Sequence, residues 1–223
     1  MLLLGIDDSG RGPVIGPMIL AGCLITPEIA EEFKKLGIKD SKQLTPKRRD
    51  MLAEIIKEKS ENFEIVIVHP KEIDQSPEKG LNLNDLEAVK CAQIINTINK
   101  GYGKIKVAVD CPSPNLGKWQ DYLKRHVEEL SNLDISCEHK ADINHIACSA
   151  ASILAKTTRD AEIEKIKERI GENFGSGYPS DPLTVRFLEK HARNSEYHGI
   201  FRESWATWKN AISIATQKSL KEF

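Results

Sequence analysis

Four aspartates stand at positions suited to chemistry. Asp7 and Asp8 follow the apolar run 2–6, Asp110 follows Val107-Ala108-Val109, and Asp142 opens an apolar helix in Lys140-Ala141-Asp142. Acids at the carboxyl ends of strands lie where α/β sheets bind ligands. Converging carboxylates repel one another unless cations sit between them. Hard oxygen ligands with open positions suit Mg²⁺ or Mn²⁺. Two such ions about 4 Å apart clamp the attacking and leaving oxygens of a phosphodiester. Each acid taken singly also reads as an Asx-turn or a helix cap, and that plain reading weakens only where two adjacent acids end a buried strand. As sequence neighbours, Asp7 and Asp8 face opposite ways on a regular strand. They share one site only if the strand stops there, and Ser9-Gly10-Arg11-Gly12-Pro13 offers the break. Gly10 and Gly12 let backbone amides approach a ligand closely, with Arg11 between them as a phosphate or sugar contact.

Rival chemistries fit less well. Gly10-x-Gly12-x-x-x-Gly16 is one residue off a dinucleotide fingerprint, and Pro13 and Pro17 interrupt the helix that should follow. No Gly-Lys-Ser/Thr follows it, which excludes a P-loop. Cys137-x-His139 and His145-x-x-Cys148 lack the spacing of a zinc finger. Cys111 directly follows Asp110, whose charge would raise the thiol pKa rather than activate it. No nucleophile elbow supports triad chemistry. The densest basic cluster, Lys39-Asp40-Ser41-Lys42 with Lys47-Arg48-Arg49, reads as a solvated face. On the same side as the acids it becomes a phosphate-facing surface. Tyr178, in Gly175-Ser176-Gly177-Tyr178-Pro179, is either a turn residue or a stacking group for a sugar or base.

Alternating elements must position these residues. Strands are predicted at 2–6, 18–26, 63–68, 104–110 and 134–138. Helices are predicted from Pro27, from Pro46 with Thr45 as cap, from Asn84 as cap, and at 115–130, 143–167, 183–192 and 204–220. This is an α/β domain with a mixed sheet. The 223 residues suit one domain with an appendage: a catalytic unit over 1–180 and a helical extension over 181–223 packed on it. A net charge of -1 means that nucleic acid binding needs a local basic face. Aromatics at 6% argue against a broad stacking platform for single strands. Five irregularly spaced cysteines read as reduced thiols. No apolar run approaches membrane-spanning length, and acid follows too soon after the N-terminus for a signal peptide. The expectation is a cytoplasmic monomer.

Taken together, the residues resemble a known family. Gly5-Ile6-Asp7-Asp8-Ser9-Gly10-Arg11-Gly12-Pro13 resembles the signature of ribonuclease HII, usually Gly-Ile-Asp-Glu-Ala-Gly-Arg-Gly. Lys39-Asp40-Ser41-Lys42-Gln43-Leu44, Glu138-His139-Lys140-Ala141-Asp142, the run from Ser149 to Lys156 with Arg159-Asp160, and Gly175 to Pro182 match its later elements in order, most like the archaeal branch. The resemblance implies an RNase H-like fold with a five-stranded mixed β-sheet flanked by helices and a C-terminal helical part. It implies hydrolysis of the RNA strand of RNA–DNA hybrids, and cleavage 5′ of single ribonucleotides in duplex DNA, leaving 3′-hydroxyl and 5′-phosphate ends. Such an enzyme serves DNA replication and ribonucleotide excision repair. By position, Asp7, Asp8, Asp110 and Asp142 carry over as ligands of two Mg²⁺ or Mn²⁺ ions. Gly10, Arg11 and Gly12 carry over as the turn reading the ribose 2′-hydroxyl, Tyr178 as the stacking residue, and Lys42 and Ser149 as phosphate contacts. The 2′-hydroxyl is what separates ribose from deoxyribose at a single site.

Two departures stand out. Asp8 replaces the usual Glu, which implies a second ion site weakened or shifted toward Mn²⁺. The usual Tyr-Pro is His145-Ile146 here, so His145 either faces the site or packs on its helix, with packing favoured. At the C-terminus Gln217-x-x-Leu220-x-x-Phe223 resembles a sliding-clamp peptide that lacks its second aromatic; the plain alternative is a frayed amphipathic helix end. Two other functions compete: a hybrid-binding module whose activity has decayed through Asp8, and another RNase H-like enzyme such as a junction resolvase or integrase. Clustered acids would not help a pure binder of phosphates. Resolvases and integrases give no reason for Gly-Arg-Gly paired with Tyr178.

Overall fold

The computed structural model describes residues 1–39, 41 and 44–221, with 215–221 as backbone only. Lys42 and Phe223 lie outside the described residues, as do the side chains of Gln217 and Leu220.

Five strands form one mixed sheet: β1 (Leu2–Ser9), β2 (Met18–Ile25), β3 (Asn62–Val68), β4 (Ile105–Asp110) and β5 (Leu133–Glu138). Their order is β3-β2-β1-β4-β5. β1, β2 and β3 pair antiparallel, whereas β4 pairs parallel to both β1 and β5. All eight residues of β2 are buried, matching its unbroken run of small and apolar side chains.

Helices cover both faces. On one, α4 (Leu83–Ile98) and α5 (Leu116–Lys124) close a core around Leu4, Ile6, Leu20 and Val107. On the other, α1 (Pro27–Lys35), α2 (Pro46–Lys59) and the long α7 (Ile146–Ile170) bury Ile19, Ala21, Phe33, Leu52 and Leu154. α3 (Pro70–Gln75), α6 (Ala141–Asn144), α8 (Pro182–His191) and α9 (Ala206–Lys221) complete the chain. A third core joins Val14 and Ile15 to Ile163, Phe174, Phe187 and Phe201, fastening the C-terminal segment beside the turn after β1.

Local chemistry sets the helix ends. Thr45 caps α2 with Pro46 in first place, as expected. The cap of α4 is Asn82, not Asn84: Asn82 and Asp85 form a reciprocal capping box. That shift places Asn84 inside the first turn and frees its side chain. α5 stops at Lys124 rather than near 130. The Asn96 side chain donates to the His126 carbonyl at 3.0 Å and accepts the Glu128 amide at 2.9 Å, holding that stretch against α4. The single helix expected over 143–167 is two, because His145 adopts an extended conformation between α6 and α7.

Candidate active site

β1 outruns its parallel partner. The last β1–β4 pair is Ile6 with Val109, while pairing with β2 continues to Ser9 opposite Ile19. From Asp7 onward the β4 side of β1 is therefore open. The expectation that β1 must stop for Asp7 and Asp8 to share a site is corrected: the neighbouring ladder stops instead. Asp7 turns toward α7, where the Ser152 hydroxyl bonds to it, and Asp8 turns toward Glu87 on α4. Both border one cavity of about 530 Å³, together with Asp110 and Asp142.

The other two acids are tied to each other. Asp110 ends β4, and its Oδ1 accepts the Ala141 amide at 2.8 Å. The chain reverses there through Lys140, a non-glycine residue at φ 59°. Asp142 follows in the single turn of α6. From beneath, the Ser149 hydroxyl donates to the carbonyls of Asp142 and His145, at 2.6 and 3.3 Å. Ser149 is buried, and it borders a smaller cavity beside Asp142 that also contains Lys39.

Burial and crowding act together on Asp7. Burial pushes the Asp7 carboxyl well above its ordinary pKa. Asp8 and Asp110 push the same way, against the Ser152 hydrogen bond. Among the described residues no three His, Cys, Asp or Glu side chains stand close enough together to hold a metal ion as placed. The four aspartates instead surround the cavity as an all-oxygen donor set whose mutual repulsion a divalent cation would relieve. That chemistry fits a hard ion with open positions. No thiol competes as nucleophile: all five cysteines are free and buried, and burial raises Cys23 and Cys137 to about 12.

The glycine turn forms the adjoining wall. Gly10 sits at φ 84°, and a Cβ there would meet Arg159 Nε at 2.5 Å. The Arg11 guanidinium pairs with Glu87 and Asn84 on α4, and the residue also borders the cavity. Burial, and Asp8 beside it, raise the Glu87 carboxyl pKa, while Arg11 opposes them. Tyr178 is 37% exposed and lines the same cavity. The Arg159 guanidinium lies 5.1 Å from its ring centre. A Cβ on Gly12 would stand 3.7 Å from the ring edge, which leaves a slot between turn and aromatic.

Other candidates lie elsewhere. His145 Nε2 lies 3.0 Å from Glu138 and borders a separate crevice, so its partner is an acid on β5 rather than the four-aspartate cavity. His139 Nδ1 lies 3.0 Å from the Cys111 carbonyl. The basic cluster does not form one solvated face. Arg49 is buried and donates to the Ser41 and Leu44 carbonyls, and Arg48 donates to Leu36.

The sequence matches the ribonuclease HII family over residues 4–208. The chain belongs to that family. Ribonuclease HII of Thermococcus sibiricus is 42% identical over 214 residues, 94% of this chain and 90% of that protein. Ribonuclease H2 from Pyrococcus horikoshii superposes with a TM-score of 0.86 at 36% identity, covering 97% of this chain and all of the other. A ribonuclease HII from Archaeoglobus fulgidus, solved in complex with PCNA, gives a TM-score of 0.80 at 34% identity over 92% and 95% of the two chains. The fold is RNase H-like, and the chain is a type 2 ribonuclease H enzyme, acting on RNA–DNA hybrids. No described helix is long and apolar enough to cross a membrane.

Two charged residues of the chain, Glu87 and Arg202, escape a reading of motifs, while Arg159 belongs to the Arg159-Asp160 match. Glu87 is buried against Arg11, and Arg159 and Arg202 are buried behind the glycine turn. Glu87 alone left a signal. It falls in register with Cys91, Ile94 and Ile98 on the apolar stripe of α4, where a lone acid needs a partner.

Proposed function

We propose that this ribonuclease HII cleaves 5′ of ribonucleotides embedded in duplex DNA, as well as RNA strands of hybrids, leaving 3′-hydroxyl and 5′-phosphate ends. The observation that carries this is one cavity bordered by all four aspartates, the Gly10–Arg11–Gly12 turn and Tyr178. Asp7, Asp8, Asp110 and Asp142 would hold two divalent cations, Mg²⁺ or Mn²⁺. When bound, such ions polarise a phosphodiester and help generate the attacking water. The protein's own part is placement. Ser152 orients Asp7, and the Ala141 amide orients Asp110. The turn presents its backbone to the 2′-hydroxyl, and the Tyr178 ring stacks beside it. Lys140 and Lys156 supply positive charge at the cavity wall. Lys42 is read as a phosphate contact. Ser149 serves the same strand through Asp142, whose turn it supports.

The deciding assay is a duplex carrying one ribonucleotide, alongside an identical all-DNA duplex and an all-DNA branched substrate. Cleavage confined to the 5′ side of the ribonucleotide is expected. Tight binding without cleavage would favour a decayed binder, and cleavage of the branched DNA would favour a resolvase. Asp8 is shorter than Glu by one methylene. Asp8→Glu is therefore expected to lower the Mg²⁺ concentration for half-maximal activity several-fold while changing the Mn²⁺ curve less. Superimposable titrations of the two proteins would refute this.

The C-terminal peptide with Gln217, Leu220 and Phe223 is read as a ligand for a sliding clamp of the PCNA kind, the partner present in the Archaeoglobus complex. Removing residues 217–223 is expected to weaken PCNA affinity by about tenfold or more, the loss of one anchored apolar contact set. Unchanged affinity by calorimetry would end that reading.

A further inference from the structure

We propose that Arg202, from the C-terminal segment, is the positioning residue that sets the peptide planes of the Gly10–Gly12 turn and thereby its preference for a ribose hydroxyl. This rests on the ribonucleotide reading above and adds a specificity determinant outside the motif.

Arg202 is fully buried, and each of its guanidinium nitrogens donates to a main-chain carbonyl of one short segment. Nη2 reaches Gly10 at 2.6 Å, Nη1 reaches Arg11 at 2.8 Å and Nε reaches Gly16 at 3.0 Å. The described residues hold no salt-bridge partner for it. Burying a guanidinium without a carboxylate is costly, so a merely structural plug would more cheaply be apolar. Burial, with Arg159 adding to it, lowers the Arg202 pKa to about 9.

Its effect on the turn follows from peptide geometry. A trans peptide is planar, with its C=O and N–H pointing in opposite directions, and no peptide in this chain is cis. Fixing the Gly10 and Arg11 carbonyls on Arg202 therefore turns the next two amides, Arg11 N–H and Gly12 N–H, the other way. Arg11 and Gly12 border the cavity, and Arg202 does not. Among the described residues neither amide has a protein acceptor. Two adjacent donors are thus presented to an oxygen in the slot beside Tyr178.

Arg202 is itself held in place. Its amide donates to the Val14 carbonyl at 2.8 Å, and Gly16 donates to Ile200 at 2.9 Å. Asp74 accepts the Glu203 and Ser204 amides at 2.8 and 2.9 Å. The planar fork matters here: a lysine ammonium is a compact point charge and cannot align three carbonyls in this array.

The test uses Arg202→Lys and Arg202→Gln in an Asp110→Asn background, so that Mg²⁺ is present without turnover. Affinities are measured for two duplexes that differ by one ribonucleotide. The ratio of the two is expected to fall about five- to tenfold in both variants, the loss of one or two well-aligned hydrogen bonds. Affinity for the all-DNA duplex should stay within about twofold, which general misfolding would not spare. A folded variant that keeps the full ratio overturns the role of Arg202 and leaves the ribonucleotide reading standing. A parent protein with no preference overturns that reading and this one with it. Should neither variant fold, the Arg202 side-chain ¹⁵N resonances of the Asp110→Asn protein decide. A shift on adding the ribonucleotide duplex but not the all-DNA duplex supports the proposal, and no difference overturns it.

Discussion

Asp7→Asn is expected to abolish cleavage and, without divalent ions, to make the protein harder to unfold. The two effects share one cause. Asp7 is 7% exposed, with Asp8 and Asp110 as neighbouring anions and Ser152 as its hydroxyl partner. A ligand set needs that charge, and the empty fold suffers from it. Loss of activity should reach at least about 10³-fold, on the order of 4 kcal/mol in the barrier. The stability effect has a definite sign. The folded carboxyl keeps its proton to higher pH than the ordinary value of 3.8, chiefly because it is buried. Between 3.8 and that raised value the folded state binds more protons than the unfolded one, so stability falls as pH rises through the window. Asn removes this slope. In EDTA, the variant's Tm should therefore depend less steeply on pH above about 4, with a gain of about 2–4 °C for each kcal/mol of relieved strain. Divalent ions should raise the Tm of the unaltered protein far more than that of the variant, since only a competent site couples binding to stability. Parallel melting curves across pH, with equal responses to Mg²⁺, would show that Asp7 is not held under this repulsion.

Much of this arrangement is legible in the residues themselves. The five strands, the cap at Thr45, and the acids at strand ends all follow from local pattern, because each depends on neighbours within a few positions. What the pattern hides is non-local. Arg202 and Gly10 are far apart in sequence, and the fork of Arg202 has meaning only when the third core brings Ile200 and Phe201 against Val14 and Ile15. Arg49 belongs by composition to a basic surface cluster, yet the carbonyls of Ser41 and Leu44 draw it inward. Arg11 has partners that its motif does not show, because α4 offers Asn84 and Glu87 one turn apart on the same face. The misplaced α4 cap has the same root. Both Asn82 and Asn84 suit a cap, and only the reciprocal bond with Asp85 decides between them.

Gly5→Ala is expected to cost about 3–5 kcal/mol, at the severe end for one added methyl group. The reason lies in how closely α7 crosses β1. A Cβ on Gly5 would stand 2.1 Å from the Ala147 carbonyl carbon and from the Cys148 nitrogen. Both are backbone atoms, so no side-chain rotation can make room, and α7 must move off the sheet. Its first turns carry Ser149 beneath Asp142 and Ser152 beside Asp7. The same shift would therefore separate the acids of β1 from the acid of α6. Tm should drop by about 10 °C or more, and cleavage by the fraction still folded at low temperature should fall as well. Gly117→Ala supplies the contrast. That residue lies in α5 with nothing within 4 Å of a built Cβ, so alanine there should be neutral or stabilising by about 0.5–1 kcal/mol. A Gly5→Ala protein that melts within about 2 °C of the unaltered chain would mean that contact between β1 and α7 does not set the spacing of the site.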